Sequence, residues 1–154
     1  MAAAALLLLA ATPTFGQTLT IKGAAGQSRV LTPQDLKSLP HETVTASEHG
    51  HTATYSGVAV TALTALVGAP HGEALRGHAM TDVLVVTASV GYRVALSLAE
   101  IDPSMRADRV IVADAADGKP LGPHDGPLRL IVEGDKRPAR SARGIQSIEV
   151  RAPP

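Results

Sequence analysis

Residues 126–150 read GPLRLIVEGDKRPARSARGIQSIEV, an apolar strand that runs into the densest cluster of positive charge in the chain. Leu128, Leu130 and Val132 alternate with Arg129, Ile131 and Glu133, the period-two pattern of a strand with one strongly buried face, and Gly134 breaks it. Between Arg129 and Arg143 stand five cations (Arg129, Lys136, Arg137, Arg140, Arg143) against two acids (Glu133, Asp135), although the whole chain balances at 14 and 14. That excess suits an anion. Arginine's planar fork grips phosphate or carboxylate at two points, and Pro138 stiffens the loop that carries it. The same residues also read as a solvated turn whose arginines pair with nearby acids, and sequence alone leaves both readings open.

Upstream, the chain reads as scaffold for this stretch. Thr18–Lys22 and Arg29–Leu31 are short strands on either side of a Gly-rich turn. Thr32 then caps a helix with Pro33 in its first turn, Asp35 at the positive end of its dipole, Leu36 and Leu39 facing inward and Pro40 as its stop. Thr43–Thr45 and Thr52–Tyr55 are strands separated by His49-Gly50-His51, and Ser56-Gly57 is expected to turn the chain into a helix. The buried stripe of that helix is Val60, Leu63, Thr64, Leu66 and Val67, with Gly68 and Pro70 ending it. Asp82–Ala88 is a buried strand that Tyr92–Leu96 pairs as a hairpin, across Ser89-Val90-Gly91. Ser97 and Glu100 have the spacing of a capping box, and Arg109–Ala113 is a further buried strand. Many short strands with a few short helices predict an α+β, β-rich fold in one domain over residues 18–151.

Composition removes several function classes. The only aromatics are Phe15, Tyr55 and Tyr92 and the net charge is zero, so a base-stacking surface is missing and no nucleic-acid partner is expected. No cysteine occurs, which excludes disulfides, thiolate metal sites and cysteine nucleophiles. Residues 1–21 carry no charge, and an apolar run from Ala4 to Ala11 leads to Thr12-Pro13 and small residues near Gly16-Gln17. We read residues 1–16 as a signal peptide without its basic start, too short to span a bilayer, which points to a periplasmic or secreted protein.

Four stretches carry a resemblance: YSGV at Tyr55, TASVGYRVALSLAEIDP at Thr87, VIVADAADGKPLGPHDGPLRLIVEGDKRPAR at Val110, and the closing IQSIEV. In this order they resemble the molybdopterin-binding domain of the sulfite-oxidase family of oxidoreductases, over residues 18–151. The resemblance implies a compact β-rich fold of mixed sheets with a few short helices and a groove for a pterin cofactor. It also implies a molybdenum held by a cysteine thiolate, where this chain has Thr45-Ala46-Ser47. A hydroxyl does not replace a soft thiolate, so molybdenum is not expected and turnover is disfavoured. The resemblance implies that small exported members without this cysteine bind a pterin and act as sensors or carriers.

The expected ligand-binding set is therefore Lys136, Arg137, Arg140 and Arg143, faced across the groove by His49, His51 and Ser47. His49-Gly50-His51 also has a spacing that can chelate a transition metal, completed by Glu48 or by His41, His71, His78 or His124, although exposed loop residues read this way too. Ser47, Ser56 and Ser89 lack a nucleophile-elbow pattern. Asp114 and Asp117 are expected to cap a turn, and Tyr92 to be a core residue with a satisfied hydroxyl. Three functions follow: a pterin- or molybdopterin-binding sensor with a membrane-bound signalling or redox partner, a molybdopterin-dependent oxidoreductase, or a metal-binding protein built on His49 and His51.

Overall fold

The computed structural model describes residues 16–153, so the expected export segment lies outside them except for Gly16. In chain order the elements are β1 (Leu19–Lys22), β2 (Ser28–Leu31), α1 (Pro33–Ser38), β3 (His41–Glu48), β4 (His51–Ala59), α2 (Val60–Ala65) and β5 (Val83–Ala88). Then come β6 (Arg93–Ser97), α3 (Leu98–Ile101), β7 (Val110–Ala116), β8 (Lys119–Pro120), β9 (Arg129–Val132) and β10 (Ile145–Arg151). They form two sheets, which agrees with the expected β-rich mixed class. The first has the order β2-β1-β10-β5-β6, with β1 and β10 parallel and Ile21 opposite Ile148. The second runs β3-β4-β7-β8, with β9 added on β7.

Alternation along the strands decides which core each residue joins. Leu84 and Val86 of β5, Val110 and Val112 of β7 and Leu130 and Val132 of β9 enter the large core shared with α1, α2 and α3. The opposite face of the second sheet carries a smaller cluster of Val44, Tyr55, Ile111, Ala113 and Ile131. Strand β9 is thus buried on both faces, Arg129 included, where its pattern predicts one buried face. One face packs into the large core and the other is covered by Val44 of β3 and Tyr55 of β4, which puts a charged side chain in the interior.

Local signals in the sequence match the structure. Thr32 Oγ1 accepts the Asp35 amide at 3.2 Å while Asp35 Oδ2 accepts the Thr32 amide at 2.8 Å, closing a capping box on α1. Ser97 and Glu100 do the same on α3, at 3.2 and 2.9 Å.

Four expectations need correction. Ser56-Gly57 is not a turn: β4 runs through it to Ala59, with a register shift against β7 at that step. Glycine is required there because a Cβ would meet the Val112 carbonyl oxygen at 2.1 Å. Leu66 lies outside the buried stripe of α2: it is 40% exposed, while Val67 after it is buried as expected. Tyr92 is exposed rather than in the core, although its hydroxyl does find a partner in the Ala139 carbonyl at 2.6 Å. Asp114 and Asp117 do not cap their own turn. They reach across to other strands, Asp114 to His41 Nε2 at 3.0 Å and Asp117 Oδ1 to the Thr54 amide at 2.9 Å.

Candidate functional site

The β3–β4 hairpin pairs from His41 opposite Val58 to Glu48 opposite His51. Its two-residue turn is His49-Gly50, with φ of 50° and 82°. Both central residues of this tight hairpin turn lie at positive φ, which explains the glycine and puts His49 in a backbone region where histidine is tolerated. His49 therefore sits at the turn tip and His51 opens β4, both exposed. Among the described residues no three His, Asp or Glu side chains converge on a point that could hold a metal ion. Glu48 is turned away onto arginines and His41 onto Asp114. The completed metal site that His49-Gly50-His51 suggested is not assembled.

Glu48 is the hinge of a network that ties the hairpin to β9 and to the cationic loop. Arg129, 3% exposed, donates Nη2 to Glu48 and Nη1 to Asp125 Oδ1 at 3.2 Å and to the Tyr55 hydroxyl at 3.3 Å. Its guanidinium carbon lies 5.6 Å from the Tyr55 ring centroid, within cation–π range. Arg143 donates Nη2 to the other Glu48 oxygen at 2.7 Å. Its Nε is 2.9 Å from Asp125 Oδ1 but outside hydrogen-bonding geometry, and Arg129 Nε has no partner. Burial pushes the Glu48 carboxyl up, yet the Arg129 hydrogen bond and the charges of both arginines outweigh it and hold the group below the usual carboxylate range.

Arg140 is closed as well. It grips Asp135 with Nε and Nη2 at 2.9 and 2.6 Å and reaches Glu100 with Nη1 at 2.8 Å. Those hydrogen bonds raise its pKa further above the ordinary value. Of the two readings that the sequence leaves open for Arg140, an anion contact or pairing with acids, the structure has the pairing, and Arg143 is largely committed to Glu48 and Asp125.

Lys136 and Arg137 differ. Among the described residues neither has a side-chain hydrogen-bond or ion-pair partner, and with His49, Gly50, Pro138 and Ala139 they line an open hollow of about 820 Å³. Pro138–Arg140 is a single 3₁₀ turn that forms a ridge. Beyond it lies a second hollow of about 320 Å³ lined by Glu48, Ser89, Val90, Tyr92 and Arg143 among others. Val90 overhangs it, fully exposed and at a φ of 53° that is costly for a β-branched residue. Ser47 lines neither hollow, and its hydroxyl is hydrogen-bonded to that of Thr52 at 2.8 Å.

Two parts of a metal-loaded pterin cofactor meet different chemistry here. Among the donors between Thr45 and His51 are hydroxyls, imidazoles and one carboxylate already bound by two arginines, with no thiolate anywhere in the chain. A soft metal anchor does not fit them. An anionic phosphate does fit the Lys136–Arg137 side of the groove.

Sequence reasoning missed Asp125, Val90 and the role of Glu48 as an ion-pair partner. One signal was available for Glu48: an arginine within a strand otherwise made of Leu, Ile and Val needs a carboxylate once that strand is buried.

The profile of the family described as "Oxidoreductase molybdopterin binding domain" matches residues 11–154. A comparison with curated proteins gives no match. Among solved structures, the sulfane dehydrogenase SoxCD from Paracoccus pantotrophus superposes with a TM-score of 0.70 at 20% identity, over 90% of this chain and 39% of that one. The shared fold is the sulfite-oxidase-like one, and this chain spans well under half the length of that relative.

Proposed function

We propose, on the premise that this chain belongs to the oxidoreductase molybdopterin-binding domain family, that it is an exported ligand-binding or sensing module which takes a pterin or molybdopterin without thiolate-held molybdenum. One observation carries this reading: among the described residues the groove keeps two cations without a partner, Lys136 and Arg137, while the chain has no cysteine to hold a metal. A metal-loaded molybdopterin supplies redox chemistry to the protein that binds it. Here the residues bind and orient. Arg137 and Lys136 take the anionic end of the ligand, His49 closes the same hollow from the hairpin side, and Glu48 holds Arg129 and Arg143 in place beneath the ridge. A membrane-bound signalling or redox partner reading the occupied state completes the proposal.

Metal analysis and fluorescence of protein purified from its native compartment test it. The expected result is a bound pterin with no stoichiometric molybdenum, on a chain whose mass lacks residues 1 to about 16. About one molybdenum per chain would overturn the reading in favour of an oxidoreductase. Copper or zinc alone would overturn it in favour of a metal-binding protein using His49 and His51.

A further inference from the structure

Away from the groove, a second cavity of about 300 Å³ opens between α2, the end of α3 and the start of β7. That volume is at the lower end of the range for small-molecule sites, ~300–1,000 Å³. Its walls are mostly apolar, built from Ala59, Ala62, Ala65, Ile101 and Val110.

Among the described residues, two acceptors stand in the lining without a donor. Glu42, partly buried on β3, has no side-chain hydrogen-bond or ion-pair partner among them. The His71 ring has Nδ1 3.3 Å from the Ala69 carbonyl, and the tautomer that donates there leaves Nε2 a bare acceptor.

The other charged groups of the lining, Arg109 and Asp108, are already paired. Arg109 donates Nε and Nη2 to Glu133 at 3.1 and 3.3 Å, and Arg106 donates to Asp108 at 2.8 Å. Glu42 acts on Arg109 only at a distance, favouring its charged form. With both pairs closed, the mouth keeps one uncompensated negative charge.

We infer that this cavity is a binding site for a small organic monocation, a protonated primary amine on a compact apolar body. The ammonium is a pure donor and answers both acceptors, while the body displaces water from the alanine wall. A neutral or anionic ligand would leave Glu42 uncompensated or repel it. The site is separate from the groove: Glu42 and Glu48 are six residues apart along one strand, about 20 Å at ~3.3 Å per residue.

Cyclohexylammonium and its neutral counterpart cyclohexanol, titrated into the full chain with Ala and Ile methyl groups observed by NMR, test the inference. Cyclohexylammonium should shift the methyls of Ala62, Ala65 and Ile101 and bind about tenfold more tightly than cyclohexanol, a difference the size of one charge-assisted contact. Glu42→Gln should reduce its affinity to that of cyclohexanol. Ala62→Leu, on an exposed position of α2 at the mouth, should abolish the shifts without lowering the melting temperature. Equal affinity for the two probes, full retention of binding in Glu42→Gln, or no methyl shifts from the amine would each overturn the site. Pterin affinity should be unchanged in both variants.

Discussion

The cations between Arg129 and Arg143 divide into two groups that look alike in sequence and differ in the fold. Arg129, Arg140 and Arg143 are closed onto four carboxylates, Glu48, Asp125, Asp135 and Glu100. Lys136 and Arg137 are open onto the hollow beside His49. A local charge excess therefore overstates the capacity for anions, because acids distant in the chain come back to neutralise part of it. Glu48 is 81 residues from Arg129 and Glu100 is 40 from Arg140. What remains open is the pair without a partner, and it is the pair that can meet a ligand.

The comparison predicts its largest effect in the closed group. Glu48→Ala leaves Arg129 buried with only Asp125 and Tyr55 to satisfy it and frees half of the Arg143 pairing. Removing one partner of a buried pair costs about 3 kcal/mol or more, because the remaining charge stays desolvated. Urea unfolding of the variant against the wild type measures this. A loss below about 0.5 kcal/mol would mean that Glu48 behaves as a surface acid and that the two groups do not differ.

In the open group the expectation reverses. Arg137→Ala should leave unfolding unchanged and weaken binding of a phosphorylated pterin by about 1.5–3 kcal/mol, the usual size for a hydrogen bond to a charged group. Arg137→Lys should recover part of that, since the charge is kept and the fork is lost. Calorimetric titration beside thermal melts separates the two effects, and equal affinities would reduce the hollow to a solvated turn.

Arg140→Ala sits between these cases. Its guanidinium is about one-third exposed, at 33%, and holds two carboxylates, so a loss of about 1 kcal/mol in stability is expected with little change in ligand affinity. A larger loss of binding than Arg137→Ala shows would reverse the assignment of closed and open cations.

Much of the fold was legible because its signals are local. The capping boxes at Thr32 and Ser97 span four residues each, and the β5–β6 hairpin crosses only the four residues from Ser89 to Tyr92. Gly57 was misread because its reason lies in β7, whose Val112 carbonyl approaches too closely for any side chain, and no local pattern reports that neighbour. Tyr92 was misread because it shares the parity of the buried Val94 and Leu96 but lies one residue before β6, at the end of the 3₁₀ turn Ser89–Gly91, where strand alternation no longer decides exposure. For the site, the charge cluster located the loop, but only pairing across the chain separates Arg140 from Arg137. Family resemblance, rather than periodicity, pointed to a pterin groove there.

A pair whose closure depends on pH gives the smallest and most specific test. His41 Nε2 faces Asp114 Oδ2 at 3.0 Å, with both side chains 25% exposed. The Asp114 hydrogen bond raises the His41 pKa above its ordinary value, against a smaller opposing effect of burial. A raised folded-state pKa means that the protonated ring is preferred in the native protein. Its contribution is complete below the unfolded value of about 6.5 and is lost as pH rises through the higher folded-state value. At this exposure the pair is worth less than about 1 kcal/mol. Urea midpoints at pH 5 and pH 8.5 should therefore fall slightly more with pH in the wild type than in Asp114→Asn, which keeps the shape and removes the charge. If the two proteins show the same pH dependence, His41 is neutral throughout, and a short distance to a carboxylate is not enough to class a cation of this chain as closed.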